Sequence, residues 1–263
     1  MENSSLNHTE NHKTEEKETK RTPIKQRKKE NEVLRFIREH IRYFAAGALV
    51  VVLILVLAMC AKPKGSDSDV VVNANATEST QATEEAYQVD AYENINTLIT
   101  QYYTAYAAGD ITTLSSIATP ISANEQSYIG LFSQYVDEYQ NIKCYTKTGL
   151  DANSYLVSVS MEIKFTGVDT TAPGLDFFYV RTNDDGTLYI DNLYSQYNLA
   201  NQENALDTSV QSLIGQFESE SDVVELQSEV QTRYDEALAA DENLANMIQT
   251  TIPAAIKDWV SQV

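Results

Sequence analysis

Three kinds of hydrophobic spacing follow one another along the chain, and each predicts a different element. The first is an unbroken apolar run from Phe44 to Ala61, 18 residues without a charged side chain. As a helix it spans about 27 Å at 1.5 Å per residue, enough for the hydrocarbon core of a bilayer. The second spacing begins near Tyr87. Tyr92, Ile95, Leu98, Ile99, Tyr102, Tyr103 and Tyr106 form an apolar stripe at helical period, ending at Gly109-Asp110. Gly109 suits a left-handed C-terminal cap and Asp110 an N-cap for a short helix from Ile111 to Ala118. Ser122 and Glu125 form a capping-box pair for a third helix, with Tyr128, Ile129, Phe132, Tyr135, Val136 and Tyr139 on one face.

At Ile142 the period changes from about 3.6 to 2, which marks the switch to strands. Tyr155, Val157, Val159, Met161, Ile163 and Phe165 alternate with Leu156, Ser158, Ser160, Glu162 and Lys164, as a strand with one buried and one wet face requires. Segments 176–182 and 187–191 flank Asn183-Asp184-Asp185-Gly186, whose Asp-Gly step suits a hairpin turn. After Tyr197 the helical period returns. Val210, Leu213, Ile214 and Phe217 mark one helix, and Asp222 to Ala239 a second. Asp241 caps a third with Leu244, Met247 and Ile248, broken or kinked by Pro253. These C-terminal helices either pack on the preceding domain or offer their apolar stripes to a protein partner or a second copy.

Charge sets the topology. Residues 1–43 carry a net charge of +3, and residues 62–263 carry −22. Lysines and arginines crowd the N-terminal side of the apolar run, so the positive-inside rule puts the N-terminus in the cytoplasm and residues 62–263 outside the cell membrane. A signal peptide is disfavoured by the long charged leader and the lack of a clean small-residue cleavage site. Leu57-Ala58-Met59-Cys60 resembles a bacterial lipobox, but Met59 stands where that motif takes Gly, Ala or Ser, so an uncleaved signal anchor is the expectation. The resulting organisation is a cytoplasmic tail (1–43), a transmembrane helix (44–61), a flexible tether (62–86), an α+β domain (87–198) and a C-terminal helical extension (199–263).

The exported part lacks the usual catalytic side chains. His8, His12 and His40 all lie in the cytoplasmic tail, which removes imidazole-based nucleophilic and zinc chemistry. Cys60 and Cys144 make no disulfide framework; Cys144 is expected to be a small buried hydrophobe in a strand. The Ser66-Asp67-Ser68-Asp69 and Asn183–Gly186 clusters lack calcium-loop spacing, so no metal and no cofactor is expected. Carboxylate and phenol chemistry remains. Glu162, Asp176 and Asp191 are the carboxylates on or beside strands, with Tyr103, Tyr179 and Tyr189 as possible donors. Glu162 is expected on the wet face, and Asp176 and Asp191 at strand ends. The net −22 argues against nucleic acid as a partner. Of the 16 tyrosines, 15 lie in the exported part, most of them on predicted inner faces.

The stretch Ile95 to Asp110, with its Tyr-Tyr-x-Ala-x-x-x-Gly-Asp phrase, and the later hairpin from Phe177 to Asp191 resemble the opening helix and closing strands of the nuclear transport factor 2-like superfamily. The resemblance covers about residues 87–198. It implies helices packed on a curved antiparallel sheet wrapped into a cone, often with a pocket, in a fold that hosts isomerases, dehydratases, transport adaptors and assembly proteins. The sequence thus points to a membrane-anchored extracytoplasmic binding or assembly domain without catalytic activity. A candidate within that class is a component of a cell-envelope conjugation or secretion complex, because one assembly-factor family of bacterial type IV machines is similar in plan. The alternative is a small-molecule isomerase or dehydratase that uses Asp and Tyr in the cone. That alternative requires a desolvated carboxylate beside a tyrosine in an apolar pocket.

Overall fold

A computed structural model describes residues 85–262. The expected tail, membrane helix and nearly all of the tether lie outside the described residues. Among the described residues, no helix is long and apolar enough to cross a membrane.

A two-residue strand, β1 (Gln88–Val89), precedes helix α1 (Glu93–Ala108). The stripe buries Ile95, Leu98, Ile99, Tyr102 and Tyr103. Gly109 ends α1 at φ 63°, a left-handed conformation open to glycine at little cost. Asp110 then caps α2 (Ile111–Ile117) by accepting from the Thr113 amide at 3.1 Å. After β2 (Ala118–Thr119), the Ser122 hydroxyl accepts from the Glu125 amide at 3.0 Å and starts α3 (Ala123–Phe132).

Four strands follow: β3 (Val136–Thr148), β4 (Ser154–Phe165), β5 (Ala172–Thr182) and β6 (Leu188–Asp191). With the short strands they form one sheet in the order β1-β3-β4-β5-β6-β2. All neighbours are antiparallel except β2 and β6, which pair in parallel, Ala118 opposite Ile190. The architecture is therefore α+β, with helices on a mixed sheet rather than a purely antiparallel one, an arrangement consistent with a cone. β6 reaches only Val180 to Thr182 of β5, so the N-terminal part of β5 has no sheet neighbour on that side.

Two expectations at the helix-to-sheet junction are corrected. Helix α3 stops at Phe132, and Val136 and Tyr139 belong to β3. The expected wet face of β4 is not wet: Ser158, Ser160 and Glu162 are buried. The cause is the C-terminal helices. After α4 (Gln196–Asn201), α5 (Thr208–Phe217) and α6 (Ser221–Ala240) cover that face, packing Val210, Phe217 and Val223 against Leu156 and Tyr179. The other face carries α1 and α3, with Ile95, Ile99 and Ile129 clustered on Val157, Val159 and Phe178. The end of α6 joins this second cluster through Tyr234. Helix α7 (Glu242–Asn246), a π-type turn (Met247–Thr251) and α8 (Ile252–Val260) join it through Leu244, Ile248, Ile252 and Ile256. The expected break at Pro253 does not occur: the chain stays helical from Glu242 to Val260, and Pro253 follows the π-type turn as the second residue of α8. The apolar stripes of the C-terminal helices are thus engaged within the chain.

The α5–α6 face is fastened by one buried cation. Lys147 of β3, only 3% exposed, donates to Glu220 at 2.5 Å and to Asp222 at 2.6 Å. Its ammonium also lies 4.7 Å from the centre of the Tyr87 ring. Burial alone would lower the Lys147 pKa, but its hydrogen bonds to the two carboxylates outweigh that and hold it above the ordinary lysine value.

A candidate ligand cavity beside Asp176

Where β5 runs past the end of β6, the helices leave a cavity of about 160 Å³. Its walls come from α1, α3, strands β3 to β5, the turn after β6, and, around the free edge of β5, the end of α5 and the start of α6. Asp176 is the central polar group. The structure places it in the middle of β5, opposite Val159, not at a strand end as the sequence suggests. One carboxylate oxygen accepts from the Phe177 amide at 2.8 Å and the other from the Tyr103 hydroxyl at 3.3 Å. The residue as a whole is partly buried, on the stretch of β5 that β6 does not reach. Enclosure away from bulk water pushes the Asp176 carboxyl up to about 6, against the pull of its two donors. The same burial, with the Asp176 charge nearby, drives the Tyr103 hydroxyl well above the usual phenol value.

Tyrosine rings surround this carboxyl. Tyr103 lies 4.6 Å from Tyr139 and 5.8 Å from Phe178, centre to centre, and Tyr102 lies 5.1 Å from Phe178. Tyr106 completes the group, 5.6 Å from Tyr102. A second carboxyl, Glu125 of α3, also lines the cavity. Both of its oxygens lie 2.9 Å from the Asn192 side-chain amide. Burial raises the Glu125 carboxyl to about 7, opposed by that hydrogen bond and reinforced by the charge of Glu203.

Of the residues singled out from sequence, Asp176 and Tyr103 meet here. Asp191 reaches the same cavity from the end of β6, but Arg181 balances it at 3.5 Å; burial raises its carboxyl, and the Leu193 amide and Arg181 pull it back. Tyr179 also lines the cavity, from the opposite sheet face, where its ring packs on Tyr194 at 5.2 Å. Glu162 does not join the site: it is tied to Arg233 of α6 and accepts from Thr171 at 3.0 Å. Tyr189 lies opposite Arg181 in the β5–β6 pair, away from Asp176. Cys144 is buried in β3, and burial raises its thiol to about 12, which leaves it inert as a nucleophile. Sequence reasoning missed Glu125 as a cavity residue, having assigned it only to a helix cap, and missed Tyr139 by placing it on a helix. Among the described residues no cluster of His, Cys, Asp and Glu could hold a metal ion.

No protein-family model, curated protein or solved structure matches this chain.

Proposed function

We propose that the protein is a single-pass membrane protein of the nuclear transport factor 2-like type, whose extracytoplasmic head holds a small ligand in the cavity beside Asp176. The observation that carries the binding reading is a carboxyl that lines an apolar, tyrosine-rich cavity and is met, among the described residues, only by neutral donors. A core has no use for such a group, since an unmatched buried charge costs stability. At about 160 Å³ the space falls below that of drug-sized sites. It matches the scale on which an apolar cavity admits a single ring of roughly six to ten heavy atoms. Service in a conjugation or secretion complex would place protein contacts elsewhere on the head, because the apolar stripes of the C-terminal helices are spent internally.

Fragment binding by ligand-observed NMR, with the full chain in maltoside micelles, tests this reading. Fragments should bind the wild type and be lost in Met161→Trp, which fills the cavity, provided circular dichroism shows an intact fold. Equal binding to both proteins would place the site elsewhere.

A second reading is supported by the Asp176 and Tyr103 pair. A carboxyl near neutrality with a phenol donor in contact suits proton abstraction beside a carbonyl. Deuterium uptake by a small ketone, abolished in Asp176→Asn, would establish turnover and displace the pure binding reading.

A further inference from the structure

We infer that the ligand is a small organic cation, an ammonium or quaternary ammonium; this rests on the binding reading above and names the chemistry of that same cavity. Four ionisable carboxylates line the space, Glu125, Asp176, Asp191 and Glu218, and no lysine or arginine does among the described residues. Asp191 is matched by Arg181. Asp176 and Glu125 are met only by neutral donors: the Tyr103 hydroxyl, the Phe177 amide and the Asn192 side chain. The site therefore repels anions and leaves negative charge for a ligand to balance.

The walls suit the same ligand. The rings of Tyr102, Tyr103, Tyr106, Tyr139 and Phe178 border the cavity, and the negative face of an aromatic ring attracts a desolvated cation, by about 2 kcal/mol or more away from water. A neutral apolar ligand would use the rings and leave both carboxyls without a role. An inorganic cation is a poor fit, because among the described residues no three carboxylate, histidine or cysteine side chains come together closely enough to hold a metal ion. The molecule already contains the proposed arrangement in finished form. On the opposite sheet face the Lys147 ammonium sits over the Tyr87 ring between two carboxylates. The cavity repeats the aromatic and carboxylate parts of that arrangement, with no lysine or arginine among its described lining residues.

Isothermal titration calorimetry on the full chain in maltoside micelles tests the assignment with choline and its neutral isostere 3,3-dimethylbutan-1-ol. These have the same shape, so only charge separates them. Choline should bind at least tenfold more tightly than the alcohol. Asp176→Asn should weaken choline at least tenfold and leave the alcohol unchanged; Tyr139→Leu, which removes a ring and no charge, should also weaken choline. If the alcohol binds as tightly as choline, the cation assignment falls while the cavity remains a ligand site. If neither binds, both readings fall.

Discussion

The two faces of the sheet handle the same raw materials in different ways. On the α5–α6 side, Tyr87, Glu220 and Asp222 surround the Lys147 ammonium, which donates to both carboxylates, and every partner is the chain's own. On the α1–α3 side, Asp176 and Glu125 face a space bordered by aromatic rings, and among the described residues their hydrogen-bond partners are neutral. A buried charge is tolerated when paired and costly when not. The first face is built for stability. The second stores an electrostatic deficit that a ligand can remove.

The largest effect should come from emptying the filled side. Lys147→Met leaves Glu220 and Asp222 facing each other beside an apolar methionine, and should cost about 3 kcal/mol. Urea unfolding followed through Trp259, the only tryptophan, reads this directly; that indole packs on Tyr128 and donates to Ser127 at 2.9 Å. A loss under about 1 kcal/mol would mean the cluster is solvated and the contrast between faces is false.

The empty side should respond with the opposite sign. Asp176 and Glu125 titrate higher folded than unfolded, at about 6 and about 7, so the folded state binds more protons between roughly pH 4 and pH 7. Their contribution to stability is complete at acid pH and is lost as pH rises through those folded values. Asp176→Asn should therefore stabilise the protein at pH 7 by about 1–2 kcal/mol and flatten the melting temperature between pH 5 and 7. A destabilised variant with an unchanged pH profile would show that Asp176 is already compensated.

Smaller changes sharpen the comparison. Tyr103→Phe keeps the ring and removes one donor to Asp176, and should alter stability by no more than about 1 kcal/mol while raising the apparent Asp176 pKa. Arg233→Met breaks the pair with Glu162, but Arg233 is 45% exposed, so the loss should stay within about 1 kcal/mol by urea unfolding. A Lys147-sized penalty there would show that exposure does not separate the two ion pairs.

Much of the helical framework was legible because capping and period agree: Asp110, Ser122 and Asp241 each accept from amides in the first turn they were assigned to. The junction after α3 was not legible, because Tyr128, Phe132, Tyr135 and Tyr139 fit a helical stripe while β3 is irregular. Its register shifts between Val136 and Glu138 and again between Gln140 and Lys143, which erases alternation. The two-residue strands β1 and β2 are too short to have a period at all.

Asp176 was legible as a candidate, but its place in the middle of β5 was hidden by its neighbours. Pro173 and Gly174 signal a break, yet both lie within β5, opposite Glu162 and Met161. Proline is tolerated because no strand pairs with β5 on its free side there. An added Cβ at Gly174 would lie 2.6 Å from the Met161 sulfur, so a larger residue there would require that flexible side chain to move. The wet face expected for β4 failed for a different reason. Alternation reports side-chain polarity, and Ser158 is buried with its hydroxyl bound to that of Tyr87 at 2.8 Å. Long-range cover by α5 and α6 leaves no local signature.

Carbon-13 titration of the Asp176 side chain, in the full chain with and without choline, tests the uncompensated carboxyl most directly. The free protein should titrate at about 6, and saturating choline should move the midpoint down by at least one pH unit, because a cation favours the charged form. A midpoint near the ordinary aspartate value of about 4, unmoved by choline, would contradict the account.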